Sequence, residues 1–547
     1  MSAPAETENR RADAVVVALS MAACLMAQWL YGRRVNPSLL PDAPRYLFIA
    51  ESIARGDWRH ALHFHYPPLF PAWIALFLPF FRSAETAGRV AEAAIAALTV
   101  LPVFFLARLC FNRAAAWCAA LLFPFKFFTL YLGVHAEPPL NFLIFSALAL
   151  GITGLRARRT GRLFLTGLVF GLASLAKSEA QAFFLAWWGM AFLFLTLSRH
   201  PARGTAKMLA VAAAGYLLIV SPYLAAYARQ TGRFSFNPKL HSLFILHNEP
   251  DWADKYRLRR DERGYYTIRQ RVEEGDRLPP AESLSAYFGR NRARIVPVYF
   301  DRQRFSLTQI VPAYLASLLP WLGGWLAAAL LLAGLGAPGP GRGMPRLILL
   351  GFAIVPLLTV PGFWPDMRFF SSLIPLLVIL LAGGVEAMAR LPFALQKSWR
   401  GRIGLAKGIA LALALGLIVP DLTALARYPR EQDFWNMVED RKMIADWLKA
   451  HVPAGQSFMS SGTYMPYWYL AGWPPETDVV LPVTSLDQTL EYARQENCAC
   501  LVVSSSDLNT YGSLRPLLHP DFTDPRLQYA FSTPPLHGVV YYIYWIK

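Results

Sequence analysis

The chain has 547 residues, of which 55% are hydrophobic and only 16% charged, with a formal net charge of +17. Soluble globular proteins carry about 25% charged residues, so the composition excludes an ordinary soluble enzyme over most of the length. On a soluble protein the basic excess would point to nucleic acid. Here much of it lies in short loops between apolar runs, where Lys and Arg mark the cytoplasmic side of a membrane, and no nucleic-acid partner is expected.

A hydrophilic lead to Arg11 is followed by the apolar run Ala14 to Tyr31, read as a retained first span because it is longer than a signal-peptide core and lacks a small-residue cleavage site. Apolar runs long enough to cross a bilayer core of roughly 30 Å recur to about residue 424. The segment Pro67 to Phe81 is ambiguous by hydropathy, being short and interrupted by prolines. Charge decides. If it does not span, Arg108 and Arg113, Arg156 to Arg162, Arg199 to Lys207, Arg342 and Arg346, and Arg390 to Lys407 all share the side of the N-terminus. The positive-inside rule therefore selects a cytoplasmic N-terminus and about 11 spans, near 13–32, 86–107, 114–133, 138–155, 163–178, 180–198, 208–228, 307–335, 346–361, 369–389 and 403–424.

This threading makes residues 1–424 a membrane domain with two external segments, a first loop at 33–85 lying on the membrane and a long loop at 229–306. In the latter, the Arg-rich run Arg257 to Arg271 reads as a solvated face. Residues 425–547 form an external α/β domain. Phe434 to Ala450 has helical spacing of Met437, Ile444, Trp447 and Leu448. Ser485 to Gln488 is a capping box, and Leu501 to Ser504 and Val539 to Ile546 are β-rich. The domain has no nucleotide-binding glycine motif. Five cysteines are too few for a disulfide scaffold. Cys24, Cys110 and Cys118 read as packing residues, and Cys498 and Cys500, two apart on a strand, are expected on one face.

The residues able to do chemistry gather in the predicted external segments. Asp42-Ala-Pro-Arg-Tyr46 is followed by Gly56-Asp-Trp58 and Tyr66-Pro-Pro-Leu69. His135-Ala-Glu137-Pro-Pro lies at the outer end of the third span, Lys177 at the outer end of the fifth, and Arg368-Phe369 at the start of the tenth. With Lys177 after a Gly-rich span and Ile374-Pro375 after Arg368, this pattern resembles the GT-C class of membrane glycosyltransferases, in particular bacterial relatives of protein O-mannosyltransferases and lipid A aminoarabinose transferases. Ala43 stands where the family often has Glu, and Tyr66 where it often has Lys.

The resemblance implies a GT-C-like polytopic helical protein with a C-terminal α/β soluble domain, placed in a bacterial inner (plasma) membrane with that domain on the periplasmic side. It implies a polyprenyl-phosphate sugar as donor, inversion at the anomeric carbon, and a lipid, glycan or protein as acceptor. Asp42 is expected as catalytic base or positioning carboxylate, and Glu137, at the same predicted depth, as a second site carboxylate that shares substrate positioning or binds a divalent cation. Lys177 and Arg368 are expected at the donor phosphate, with Arg45, Arg59, His63 and His65 as further cations in place of the missing Lys. Charged side chains at membrane depth are costly and tend to mark function. No cofactor is expected, since His135 with Glu137 is too sparse for a metal signature. A transporter or flippase for lipid-linked saccharides is the alternative reading, and a non-catalytic envelope scaffold a third.

Overall fold

The computed structural model describes residues 3–34, 42–62, 66–127, 133–231, a few positions between 234 and 248, 284–313, 323–336, 343–362, 367–394, 408–410, 412–419, 432–461, 466–481, 485–506, 512–519, 521–535 and 538–547. The chain divides into two compact units. The first is Met1–Arg34, Ile49–Phe244 and Ala293–Pro429; the second is Val35–Phe48, Ile245–Arg292 and Arg430–Lys547.

The first unit is helical. Among the described residues, seven helices are long and apolar enough to cross a membrane: Asn9–Leu30, Ala84–Cys110, Glu137–Ala157, Ala180–Leu197, Ala202–Arg229, Gly343–Gly362 and Leu373–Arg390. Each coincides with an expected span. In chain order the elements are α1 (Ala3–Arg34), α2 (Ala43–Ala54), α3 (Trp58–Ala61), α4 (Leu69–Ala75), α5 (Ala84–Leu98), α6 (Val100–Cys110), α7 (Arg113–Phe127), α8 (Glu137–Ala157), α9 (Thr160–Ala176), α10 (Ala180–Leu197) and α11 (Ala202–Thr231). Three further expected spans fall on the shorter helices α7, α9 and Gly408–Val419. The span expected at 307–335 falls partly outside the described residues, as does most of the 229–306 segment. The end of that segment is not loop: Leu284–Phe305 is helical and runs on through a π-helical turn, Ser306–Ile310.

The threading that hydropathy leaves open has a geometric counterpart. Asp13 of α1 accepts from Arg108 Nη1 (2.7 Å), Arg113 Nε (2.6 Å) and Trp117 Nε1 (2.8 Å). The end of α6 and the start of α7 therefore meet the beginning of α1. Arg346 joins the same end by donating to the Cys110 carbonyl (3.0 Å) and stacking on Phe111. Among the described residues between α1 and α5, the helices are short. At about 1.5 Å per residue, Leu69–Phe80 reaches roughly 18 Å, well short of a bilayer core of roughly 30 Å.

Lipid is as apolar as leucine, so helices in a membrane associate by close packing rather than by escape from water. Glycines provide it here. A Cβ at Gly167 would strike the Ala212 carbonyl and one at Gly215 the Phe164 carbonyl, which brings α9 and α11 into backbone contact. Gly334 and Gly384 are matched in the same way, against Leu380 and Leu330, where helices Gly323–Gly336 and Leu373–Ala394 cross.

The second unit carries a five-stranded mixed sheet, order β2-β1-β3-β5-β4, from β1 (Ser457–Ser460), β2 (Asp478–Val480), β3 (Cys498–Ser504), β4 (Leu527–Ser532) and β5 (Tyr541–Ile546). β2, β1 and β3 are parallel; β5 is antiparallel to β3 and to β4. Helix Gln432–His451 packs Ile444 and Leu448 on one face, with Phe458, Val502 and Ile543. Helix Leu486–Gln495 packs Leu490 and Ala493 on the other, with Met459, Leu501 and Tyr544. Ser485 caps the second of these, its Oγ accepting from Gln488 N, as the capping box predicts. The two strand cysteines do not share a face. The β1–β3 register jumps from Ser457↔Cys498 to Phe458↔Cys500. This bulge inserts Ala499 and turns Cys498 toward Leu501 and Val503, while Cys500 faces Val502 on the opposite side.

Candidate active site

Glu92 is an acid within an Ala-rich stretch of α5, with 3% of its surface exposed. Its carboxylate accepts from two consecutive backbone amides, Val134 N–H at 2.9 Å and His135 N–H at 3.0 Å, and the His135 imidazole Nδ1 lies 3.4 Å from the same group. Val134 sits at φ 63°. A β-branched side chain rarely adopts that left-handed conformation, and such strain persists where the surroundings over-determine it. Here the Glu92 carboxylate does so. The loop it holds leads straight into Glu137, the first residue of α8.

His135 lies between α7 and α8. Burial alone would weaken its hold on a proton. The hydrogen bond to Glu92 and the charges of Glu137 and Glu92 outweigh that, so its imidazole titrates above the ordinary histidine range.

Glu137 and Lys177 are buried together, 5% and 4% exposed. Lys177 Nζ donates to Glu137 Oε1 at 2.8 Å and lies 2.9 Å from Glu179 Oε2. The helix α9 stops at Lys177, whose backbone turns extended before α10 begins. That break puts the ammonium between an acid from α8 and one from the α9–α10 link. The ammonium pairs both with Glu179, close by in sequence, and with Glu137 of α8.

Arg368 sits in the 3₁₀ turn Met367–Phe370. Its guanidinium carbon lies 4.9 Å from the Phe369 ring centroid, and Lys177 Nζ lies 4.8 Å from the same ring. The charge of Arg368 also acts on Glu137 and His135. Three expected site residues, Glu137, Lys177 and Arg368, thus come together inside the first unit. Two cations lie against one aromatic ring, and the ammonium of Lys177 is held by two carboxylates. Such an arrangement can bind a phosphate and stabilise negative charge developing on it.

The remaining candidates belong to other segments of the chain. Asp42 belongs to the second unit. It immediately precedes α2, and its backbone carbonyl accepts from Tyr46 N at 3.2 Å. Arg45 is buried, and its guanidinium carbon lies 5.4 Å from the Trp468 ring centroid. Arg59 is in α3. His63 and His65 lie outside the described residues. Among the described residues no group of three His, Cys, Asp or Glu side chains is arranged to hold a metal ion.

Glu92 escapes the sequence reading because the expected span 86–107 is read only for its length and apolarity. A lone acid inside it was the available signal, since ionisable groups within membrane helices mark function.

A many-helix membrane unit joined to a small α/β unit, with buried charges on helix ends, is the GT-C fold, as the sequence resemblance implies. Residues 65–225 match the family described as dolichyl-phosphate-mannose-protein mannosyltransferase; that stretch contains Glu92, His135, Glu137, Lys177 and Glu179. Among solved structures, the chain is similar to ArnT from Cupriavidus metallidurans bound to undecaprenyl phosphate, with 16% identity, TM-score 0.55 and 97% of each chain covered. It is also similar to the oligosaccharyltransferase AglB from Archaeoglobus fulgidus in complex with an inhibitory peptide and a dolichol-phosphate, with 15% identity and TM-score 0.58, covering 97% of this chain and 74% of that one. The apo Archaeoglobus fulgidus oligosaccharyltransferase gives 15% identity and TM-score 0.57, covering 91% and 70%. At these identities the likeness is one of fold. No curated protein matches the chain by sequence.

Proposed function

We propose that the protein is a glycosyltransferase. It moves a sugar from a polyprenyl-phosphate donor to a hydroxyl of a lipid, glycan or protein acceptor, on the non-cytoplasmic side of a bacterial inner membrane and with inversion. The observation that carries this reading is the placement of Lys177 and Arg368 on the shared ring of Phe369, with Lys177 held by Glu137 and Glu179. The solved relatives with a bound polyprenyl or dolichol phosphate support a lipid phosphate as the ligand of such a fold.

Asp42 removes the proton of the acceptor hydroxyl as its oxygen attacks the anomeric carbon. The bond from that carbon to the phosphate oxygen breaks, and polyprenyl phosphate leaves with the electron pair. Lys177 and Arg368 stabilise the charge that develops on the phosphate. Glu137 holds the Lys177 ammonium in place, and Glu92 holds the loop that carries Glu137. No metal is assigned to this chemistry.

The test is purified protein in liposomes with a radiolabelled polyprenyl-phosphate sugar and a membrane extract as acceptor source. Wild type is expected to transfer label. Asp42→Asn is expected to lose transfer by about 10²-fold or more while still binding donor, and Lys177→Ala to lose donor binding as well. Full activity in Asp42→Asn would remove this carboxylate from the reaction.

A further inference from the structure

The segment Val35–Phe48 belongs to the same compact unit as the C-terminal domain, although about 380 residues lie between them in sequence. Trp468 contacts both. It is 2% exposed, within the short helix Tyr467–Ala471. That helix ends on Gly472, whose left-handed backbone (φ 72°) turns the chain back so that Trp473 N–H donates to the Trp468 carbonyl at 2.8 Å. The indole sits in the core face formed by Ile444, Leu448 and Phe458.

From α2, Arg45 of the first turn and Phe48 of the second meet this indole. The Arg45 guanidinium carbon lies 5.4 Å from the ring centroid. Phe48 meets the ring edge-on at 5.9 Å and 81°. Arg45 and Phe48 are three residues apart and so lie on one face of the helix. Asp42 begins the first turn, its carbonyl accepting from Tyr46 N–H. One aromatic ring of the C-terminal domain therefore contacts α2 at two positions about one turn apart, just after Asp42.

We propose that Trp468 is a positioning residue for the Asp42 carboxylate, which makes the C-terminal domain part of the catalytic apparatus. This rests on the reading of Asp42 as the base. A ring that clamps Arg45 and Phe48 limits where the Asp42 carboxylate can be. Small displacements of a reacting group cost large factors in rate. The effect should therefore fall on turnover rather than on donor affinity.

The experiment uses the full-length protein in liposomes, with kcat and donor KM measured for Trp468→Phe, Trp468→Leu, Asp42→Asn and the Trp468→Leu/Asp42→Asn pair. Trp468 Nε1 has no hydrogen-bond partner among the described residues, so Trp468→Phe deletes no described bond and keeps an aromatic face. It is expected to stay within about threefold of wild type. Trp468→Leu fills the space without that face; its kcat is expected to fall about tenfold or more, with donor KM within twofold. In the Asp42→Asn background the same change is expected to have no further effect on residual turnover, because residues acting through one group are not additive. Two results overturn the proposal: wild-type kcat in Trp468→Leu while Asp42→Asn is inactive, or multiplicative losses in the double variant. Full activity in Asp42→Asn would instead refute the reading of the base. Should Trp468→Leu fail to fold, Arg45→Met carries the same comparison, with the same expectations and the same overturning results.

Discussion

Lys177 donates to Glu137 across 2.8 Å, and each side chain exposes only 6% of its surface. Bringing two charges out of water is costly, and removing one partner strands the other. We therefore predict that Glu137→Gln and Lys177→Met each destabilise the protein by about 3–5 kcal/mol, read as a fall in thermal midpoint in detergent. Glu179 keeps part of the ammonium's pairing, so Glu137→Gln should be the milder change. Equal midpoints for wild type and both variants would show that the pair carries no structural weight.

The Glu92 carboxylate satisfies the amides of Val134 and His135 while Val134 holds a left-handed backbone. Glu92→Ala removes both acceptors and should lower both stability and transfer. Glycine takes a positive φ without steric cost, so Val134→Gly in the Glu92→Ala background should recover part of the lost activity. The same change in the wild-type background should give no gain. Absence of any rescue would mean that Glu92 acts otherwise than by holding this turn.

Gly334 and Gly384 let two membrane helices touch backbone to backbone. Gly384→Val is predicted to lower the thermal midpoint sharply, since its Cβ would meet the Leu330 carbonyl rather than a movable side chain. Gly189 in α10 has open space around it, so Gly189→Ala should be neutral or stabilising by up to about 1 kcal/mol. A reversed order would contradict the packing described.

In the C-terminal domain, Arg526 binds Asp524 at 2.7 and 2.9 Å and reaches Asp487 at 2.7 Å. The Asp524 carboxyl is held down to about 2, first by its hydrogen bonds from Arg526. The folded value lies below the ordinary aspartate value of about 3.9, so the contact stabilises the domain above about pH 4. That contribution is lost as pH falls from about 4 towards 2. Hydrogen exchange over residues 524–532 of the intact protein should speed up through this window in wild type, whereas Asp524→Asn should already be fast at pH 5. Identical pH profiles would refute the contact.

Much of the membrane unit is legible in sequence because a bilayer demands long apolar helices, and charge placement is a second, independent signal. Asp13 with Arg108 and Arg113 shows why the two agree: basic loop residues meet the first helix at one end of the unit. Lys177 and Arg368 stood out as charges at helix ends. Their sharing of Phe369 depends on the fold, which brings together residues nearly 200 positions apart. The opposed faces of Cys498 and Cys500 follow from a one-residue bulge, which shifts register without changing the β-rich pattern. The contact of the Arg45 guanidinium with Trp468, more than 400 positions away in sequence, likewise depends on the fold.

A transferase moves the sugar group alone, whereas a transporter moves the intact lipid-linked sugar. The most direct measurement follows a doubly labelled donor, one label in the sugar and one in the polyprenyl phosphate, in liposomes containing the wild-type protein and an acceptor extract. The prediction is that the sugar label passes to acceptor with inverted anomeric configuration, while the lipid label remains as polyprenyl phosphate. If both labels cross the bilayer together and none reaches acceptor, the protein is a transporter and the proposed chemistry is wrong.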